Sequence, residues 1–412
     1  MDEIQQEVDK LYKSHFGKMV SFLLRFSNDF DLETAEDIVQ DAFSAAMVSW
    51  RKDGLPVNPS AWVFRVCKNK GLNRIKENKK ISKLLIDENI YPQDPALSKP
   101  PFDDQQLILL FACAHPDLSP KVQVVITLKY VVNLKVESIA SLLGMTIDGI
   151  DKLLVRARQK IKDEKIFFRE QGIAELGSKI HIVHKILYLI FNEGYKSSWG
   201  KELIREELCE EALIMTRILT KSTVANKETF ALYALMLFNA SRFKARFGSE
   251  GELLDLEEQD RNLWNHELIQ FAFANLDLSM GDFISSYHYE ASIAGIHCCA
   301  KNFAATDWRT ITLLYNKMLK INPNPFVELN YAIALYYSGQ KKQSFRILNQ
   351  LLQHPFLSQY YLLNSALGKL NWLEGNHEVA EQFLLKAIRQ TNSVKEKEYI
   401  KKMIDRIISN KV

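Results

Sequence analysis

The chain has 412 residues, a formal net charge of +3 and 47% hydrophobic residues. This length suffices for two or three domains, and the apolar fraction excludes a wholly disordered chain. No apolar run reaches the roughly 18 residues of a membrane-spanning helix, and the acidic start MDEIQQEVDK is unlike a secretory signal. The five cysteines lack CxxC spacing, which favours reduced, buried thiols over a metal site. We therefore expect a cytoplasmic protein without a membrane segment.

Apolar residues recur at helical spacing along almost the whole chain, which predicts an all-α protein. Two helices are expected within residues 3–28. The next helix, DLETAEDIVQDAFSAAMVSW (31–50), has an apolar face and a group of acids in its N-terminal half. Its polar residues are expected to lie on the surface, as a binding face or as a plain solvated one: Glu33, Glu36, Asp37, Gln40 and Asp41.

The following helix, which begins near residue 59, is basic. Residues 51–83 contain ten basic side chains and two acidic ones, with Trp62, Phe64 and Asn69 among them. Aromatic faces stack on bases and lysines follow phosphates, so this composition favours binding to single-stranded or melted DNA. A basic solvated surface is the alternative interpretation.

Residues 84–104 contain four prolines and no helical period, which indicates a linker. The stretch LKVESIASLLGMTIDGIDKLLVRARQKIK (134–162) then has the pattern of a helix-turn-helix. Gly144 ends a short helix, Thr146 caps a second one, and the second one carries Arg156, Arg158 and further basic residues suited to a phosphate backbone. An ordinary helical hairpin with a basic face is the alternative.

The second half is also helical. His181, His184 and Glu193 do not have HExxH spacing, so we interpret NEGYKSSWG as a helix end and turn rather than a metal site. Residues 250–260 contain six acids and predict an exposed acidic loop, which either mimics phosphate charge or is simply solvated. From about residue 290, Thr306, Gly339 and Gly375 recur at a spacing close to that of tetratricopeptide repeats.

Three segments together resemble an extracytoplasmic-function (ECF) sigma factor of the sigma-70 family. AEDIVQDAF resembles the polymerase-binding part of region 2, and NPSAWVFRVCKNKGLNRIK resembles its promoter-melting helix. LSPKVQVVITLKYVVNLKVESIASLLGM with VRARQKI is similar to region 4, which reads the upstream promoter element. With its long second half, the chain resembles a subgroup that carries a C-terminal helical extension.

The resemblance implies two small helical modules, region 2 and region 4, joined by a linker and followed by a helical, tetratricopeptide-like domain. The expected domains are region 2 (1–83), the linker (84–104), region 4 (105–168), a helical extension (172–289) and the repeats (290–412). Core RNA polymerase would contact Glu36, Asp37, Gln40 and Asp41. The downstream promoter element would meet Trp62, Arg65, Lys68, Asn69 and Arg74. The upstream element would meet Thr146, Asp148, Lys152, Arg156 and Arg158.

The implied partners are core RNA polymerase and promoter DNA, with a protein or small-molecule signal on the C-terminal domain; no cofactor, metal or catalytic residue is implied. The extension is expected to regulate the sigma half in cis, through contact between the acidic loop and the basic surface at 51–83. The alternative is a stand-alone helix-turn-helix regulator with a ligand-sensing C-terminal domain. That alternative leaves the basic aromatic helix unexplained.

Overall fold

The computed structural model describes residues 3–27, 30–82, 105–143, 145–163, 173–195, 206–249, 251–391 and 393–409. Within these ranges the protein has 18 α-helices, three short 3-10 helices and no strand beyond a single bridge between Phe247 and Leu253. The all-α prediction is therefore confirmed. The chain forms two compact units, residues 1–190 with 210–225 and residues 191–209 with 226–412.

The first helix, α1 (Glu3–Phe26), is continuous, so the prediction of two helices within residues 3–28 is wrong. Its apolar face runs through the middle of the helix, where Phe16 is fully buried. Gly17 lies inside this helix and lets another segment of the chain approach closely. A Cβ atom there would lie 2.7 Å from the backbone oxygen of Val131. Glycine lowers helix propensity, but a larger residue at position 17 would clash with this segment.

We expect Gly17→Ala to destabilise this packing by about 1–3 kcal/mol, since the nearest atoms are backbone and cannot rotate away. Hydrogen exchange in the full-length protein should become faster in peptides that cover Gly17 and Val131. Gly177→Ala is the matched control, because this helical glycine is exposed and its Cβ would meet nothing within 4 Å. The control should be neutral or stabilising by up to about 1 kcal/mol. Equal effects of the two substitutions would contradict the packing argument.

The rest of the first 163 residues contains six further helices within the described ranges. Asp31 caps the N-terminus of α2 by accepting a hydrogen bond from the Thr34 amide at 2.8 Å, and Trp50 near its end is buried. The predicted apolar face of α2 is confirmed, because all its members are buried: Ala35, Ile38, Val39, Ala42, Phe43, Ala46 and Trp50. The helices are α2 (Leu32–Asp53), α3 (Pro59–Ser82), α4 (Gln105–Cys113), α5 (Pro120–Tyr130), α6 (Val136–Leu142) and α7 (Ile147–Asp163). The predicted linker and the turn residue Gly144 lie outside the described residues.

The remaining helices continue to the C-terminus. They are α8 (Ile173–Tyr195), α9 (Glu206–Thr220), α10 (Lys227–Ala240), α11 (His266–Ser279), α12 (Ser286–Cys299), α13 (Trp308–Ile321), α14 (Pro325–Tyr337), α15 (Lys341–Leu351), α16 (Tyr361–Leu373), α17 (His377–Gln390) and α18 (Val394–Ser409). Three 3-10 helices lie at Phe243–Ala245, Arg261–Leu263 and Leu357–Gln359. Cys67, Cys113 and Cys209 are buried free thiols as expected, whereas Cys299 is exposed.

Two of the C-terminal helix pairs are tight hairpins. Gly339 and Gly375 form the turns of α14–α15 and α16–α17 with φ angles of +91° and +79°, a conformation that favours glycine. Gly368 lets the second pair approach closely, because a Cβ atom there would lie 2.6 Å from Cγ of Leu384. The helix–turn–helix units around both turn glycines are therefore present, and their assignment as tetratricopeptide repeats stays a prediction.

The acidic segment, residues 251–260, is not a free loop. Its carboxylates pair with cations of α16 and α18: Lys369 lies 2.7 Å from Asp255 and Arg406 lies 2.7 Å from Glu258. Tyr399 also donates a hydrogen bond to Asp255. Glu252, Asp255, Glu257 and Glu258 are thus in ion pairs within the second unit, whereas Asp260 is exposed and accepts a hydrogen bond from the Asn262 amide. The interpretation that this segment mimics phosphate charge stays a prediction.

Candidate nucleic-acid interface

Helix α3 has one side in the core and one basic side in solvent. Val63 and Cys67 are fully buried, and burial raises the pKa of the Cys67 thiol to about 12, so it is a packing residue and not a nucleophile. Gly71 continues this side one turn further, where a Cβ atom would lie 3.1 Å from Leu23. The four-residue spacing of these positions fixes which face of α3 points outward.

The outward face carries the polar residues that the sequence singled out for the downstream element. They are exposed: Arg65, Lys68, Asn69 and Arg74. Trp62 instead packs edge-on against the buried Trp50, with ring centres 5.5 Å apart, so it positions the helix. Near the start of α3, Ser60 and the His15 ring form a 2.7 Å hydrogen bond, and burial lowers the pKa of His15.

The polar residues of α2 separate into two groups. Asp37, Gln40 and Asp41 are exposed as predicted, and Asp41 lies 3.8 Å from Lys70 of α3 in a solvated pair. Glu36 is only 7% exposed, so the prediction that it lies on the surface is wrong. It is placed three residues before Val39 and seven before Phe43, and so shares their buried side of the helix.

Glu36 belongs to a cluster of paired charges that joins α2 to α5 and α7. Lys129 of α5 lies 2.9 Å from Glu36, and Arg158 of α7 lies 3.6 Å from Glu36 and 3.5 Å from Glu33. The guanidinium of Arg158 also donates a 2.8 Å hydrogen bond to the hydroxyl of Tyr130. We call these five residues the Glu36 cluster; burial is the main cause of the raised pKa of Tyr130.

Helix α7 is the second helix of the predicted helix-turn-helix. Thr146 caps it by accepting a 3.1 Å hydrogen bond from the Gly149 amide. Asp148 and Lys152 form an exposed pair at 2.7 Å, and Arg156 is exposed one turn further. These three residues therefore lie along one solvent-facing stripe at four-residue spacing. The buried side of α7 consists of Ile150, Leu154, Ala157 and Ile161.

Arg158 is not part of this stripe. It lies two positions beyond Arg156, about 200° around the helix, and its side chain is 27% exposed within the Glu36 cluster. The structure thus brings Glu36 and Arg158, predicted for two different partners, into contact with each other. Sequence spacing could have suggested that Glu36 is buried, but not that its partners come from α5 and α7.

Comparison with known families assigns two segments of the first 163 residues. Residues 11–81 match the family model for sigma-70 region 2, and residues 108–161 match that for sigma-70 region 4. The chain belongs to the sigma-70 family. It is an ECF-like sigma factor with a C-terminal extension, and residues 179–280 of that extension match a family of unknown function (DUF6596).

One relative aligns with almost the whole sigma factor. It is an uncharacterized protein of Rhizobium meliloti (strain 1021), 30% identical over 393 residues, which cover 93% of this chain and 92% of that protein. No solved structure matches the chain. Among the described helices, none is long and apolar enough to cross a membrane.

The two matched regions indicate what the sigma factor does. Regions 2 and 4 bind core RNA polymerase and promoter DNA for promoter-specific transcription initiation, and such factors are not enzymes. The region 2 match also accounts for the acidic and basic helices that a stand-alone helix-turn-helix regulator would not need.

Proposed function

We propose that the exposed faces of α2, α3 and α7 divide the work of initiation. Asp37, Gln40 and Asp41 contact basic residues of core polymerase, where opposite charge favours association. Lys68 and Asn69, with Arg65 and Arg74, bind the melted strand. This division is supported by the exposure of these side chains on helices whose opposite faces are buried.

The upstream element meets the stripe of α7. Arg156 and Lys152 contact the DNA backbone, and Thr146 fixes the start of the helix that enters the major groove. Glu36 and Arg158 have a different role in this proposal: they hold region 2 and region 4 together in the free factor. This assignment follows from their mutual ion pair and from the low exposure of Glu36.

The C-terminal unit regulates the sigma regions in cis. The alignment with the Rhizobium meliloti protein supports this, because it spans the sigma regions and the extension together. A tethered domain acts at an effective concentration on the order of millimolar, so even weak contacts would be populated. Asp255 and Glu258 of the acidic segment are paired with Lys369 and Arg406, so a contact between this segment and the basic surface at 51–83 competes with these ion pairs.

Run-off transcription with purified core polymerase tests this regulation. Full-length protein is compared, at matched folded concentration, with proteins truncated after residue 170 and after residue 225, since the first compact unit includes residues 210–225. Higher transcription from both truncated proteins indicates inhibition by the C-terminal unit, and lower transcription indicates assistance. Equal transcription from all three proteins across a salt series would rule out regulation in cis.

A further inference from the structure

Three arginines of the C-terminal unit lie where several helix ends meet. Arg242 follows α10, Arg246 follows the 3-10 helix Phe243–Ala245, and Arg261 begins the next 3-10 helix. We call them, together with Tyr195, Trp264 and His297, the arginine cluster. Arg246 is 8% exposed and Trp264 is 3% exposed, whereas the other four members of the cluster are half-buried.

The members of the cluster are close to one another. The guanidinium carbons of Arg261 and Arg242 lie 4.5 and 5.9 Å from the centre of the Trp264 ring, and that of Arg246 lies 4.0 Å from the centre of the Tyr195 ring. Burial and then the proximity of Arg242 and Arg261 lower the pKa of His297 to about 3. The histidine is therefore neutral at physiological pH, and the positive charge comes from the arginines alone.

No carboxylate among the described residues forms an ion pair with any of the three arginines; their partners are neutral. Arg242 donates to the Tyr195 hydroxyl at 3.2 Å and to Asn239 at 2.6 Å. Arg246 donates to the backbone oxygen of Tyr195. Arg246 is buried, and Arg242 and Arg261 are half-buried. Cations withdrawn from water are ordinarily paired with acids, so these three neighbouring arginines constitute an uncompensated charge.

Helix capping explains part of this arrangement. Arg246 bonds the last carbonyl of α8, and Arg261 donates to the carbonyls of His297 and Ala300 at the end of α12, at 2.5 and 2.8 Å. Cations are favoured there because helix C-termini carry partial negative charge. Both arginines use Nη1 for these bonds, so capping does not account for Nη2 of Arg261.

Several buried polar atoms of the cluster have no hydrogen-bond partner within the described part of the chain. They are Nε of Arg242, Nη2 of Arg261, Nε1 of Trp264 and Nδ1 of His297. The arginine and tryptophan atoms can only donate, and leaving a buried donor unsatisfied costs stability. A negatively charged acceptor beside the Trp264 ring would compensate Arg242 and Arg261, whose guanidinium carbons lie 5.9 and 4.5 Å from the centre of that ring.

We propose that the arginine cluster is a binding site for a small oxyanion, either a phosphate group or a carboxylate. Guanidinium groups suit this ligand because their paired N–H donors match the oxygen spacing of phosphate and carboxylate. The indole N–H adds a neutral donor that orients the anion. The binding does not depend on the sigma activity, so it can be tested without transcription.

The test measures binding to full-length protein by calorimetry and by thermal unfolding. The probes are inorganic phosphate, glycerol 3-phosphate and succinate, each compared with potassium chloride at equal ionic strength. We expect saturable binding and a higher unfolding midpoint with at least one probe and not with chloride. Stronger binding of glycerol 3-phosphate than of inorganic phosphate would indicate a phosphorylated metabolite, and preference for succinate would indicate a carboxylate. An anion retained during purification would appear as a mass adduct in native mass spectrometry.

Two variants locate the site. Arg242→Gln removes Nε and one charge but leaves both capping arginines in place, and Trp264→Phe removes the indole donor but keeps an aromatic ring. Each should weaken probe binding about tenfold or more, or remove the retained adduct. Arg309→Gln is the control, because Arg309 is exposed on α13 outside the cluster. The proposal is overturned if no probe binds and no adduct is found. It is also overturned if both variants bind the anion as tightly as the parent protein does. Circular dichroism verifies that both variants are folded.

Discussion

Replacing Lys68 and Asn69 together with alanine is expected to reduce promoter opening about tenfold or more while leaving binding to core polymerase unchanged. Both side chains are exposed on α3, whose other face is fixed by Val63 and Cys67 in the core. A phosphate contact and an amide contact to an unstacked base would be lost, and tenfold corresponds to about 1.4 kcal/mol. Permanganate reactivity of the promoter in the presence of core polymerase measures the melted DNA.

The opposite pattern is expected from Asp37→Arg with Asp41→Arg. This double variant should weaken binding to core polymerase in a titration, because the proposed polymerase contacts lie on the exposed side of α2. Glu3→Lys with Asp9→Lys changes the net charge by the same amount on exposed positions of α1 and controls for charge alone. If the α3 variant opened the promoter as well as the parent, the assignment of this helix to melted DNA would be wrong.

Removing the charge of Glu36 is expected to loosen the contact between region 2 and region 4. Glu36→Gln leaves Lys129, which is 19% exposed at its side chain, without its carboxylate, and takes one of two acids from Arg158. Breaking a buried pair costs several kcal/mol; we expect about 2–4 kcal/mol here because Arg158 keeps Glu33 and Tyr130. Hydrogen exchange in peptides of α2 and α5 should become roughly 30-fold faster or more.

Two further variants separate the charge from the packing. Glu7→Gln removes a partly exposed pair with Lys10 at 3.9 Å and should change exchange little, since such pairs contribute about 0–1 kcal/mol. Glu36→Met with Lys129→Met removes both buried charges and should recover much of the protection, because an apolar pair of similar volume avoids the uncompensated lysine. Unchanged exchange in Glu36→Gln would show that the Glu36 cluster does not hold the two regions together.

Helical periodicity was sufficient to predict which faces are buried. The apolar stripe from Ala35 to Trp50 and the capping role of Thr146 follow from spacing and residue type alone, because neighbours within one helix are determined by its geometry. The hairpin turns at Gly339 and Gly375 were predictable for the same reason, since a positive φ angle favours glycine. The exposed residues of α3 were predicted correctly as a surface.

Contacts between distant segments were not predictable in this way. Composition marks residues 251–260 as acidic, but nothing local indicates that Lys369 and Arg406 neutralise them. The spacing of Glu36 from Val39 and Phe43 indicates the buried side of α2, but nothing local indicates that Lys129 is its partner. Arg242 and Arg261 stand in a stretch that is rich in charged residues, and only the fold brings them to the same indole.

The pairing of the acidic segment with α18 can form only after the C-terminal helix has been synthesised. Glu258 and Arg406 are 148 residues apart, and translation adds about 5–20 residues per second, so roughly 7–30 s separate the emergence of the two partners. Regions 2 and 4 are complete long before that interval ends. A ribosome-bound chain therefore carries finished promoter-binding regions while the final helix of its second unit has yet to be made. Any regulation of the sigma regions that requires the ion pair between Glu258 and Arg406 starts only once Arg406 has left the ribosome.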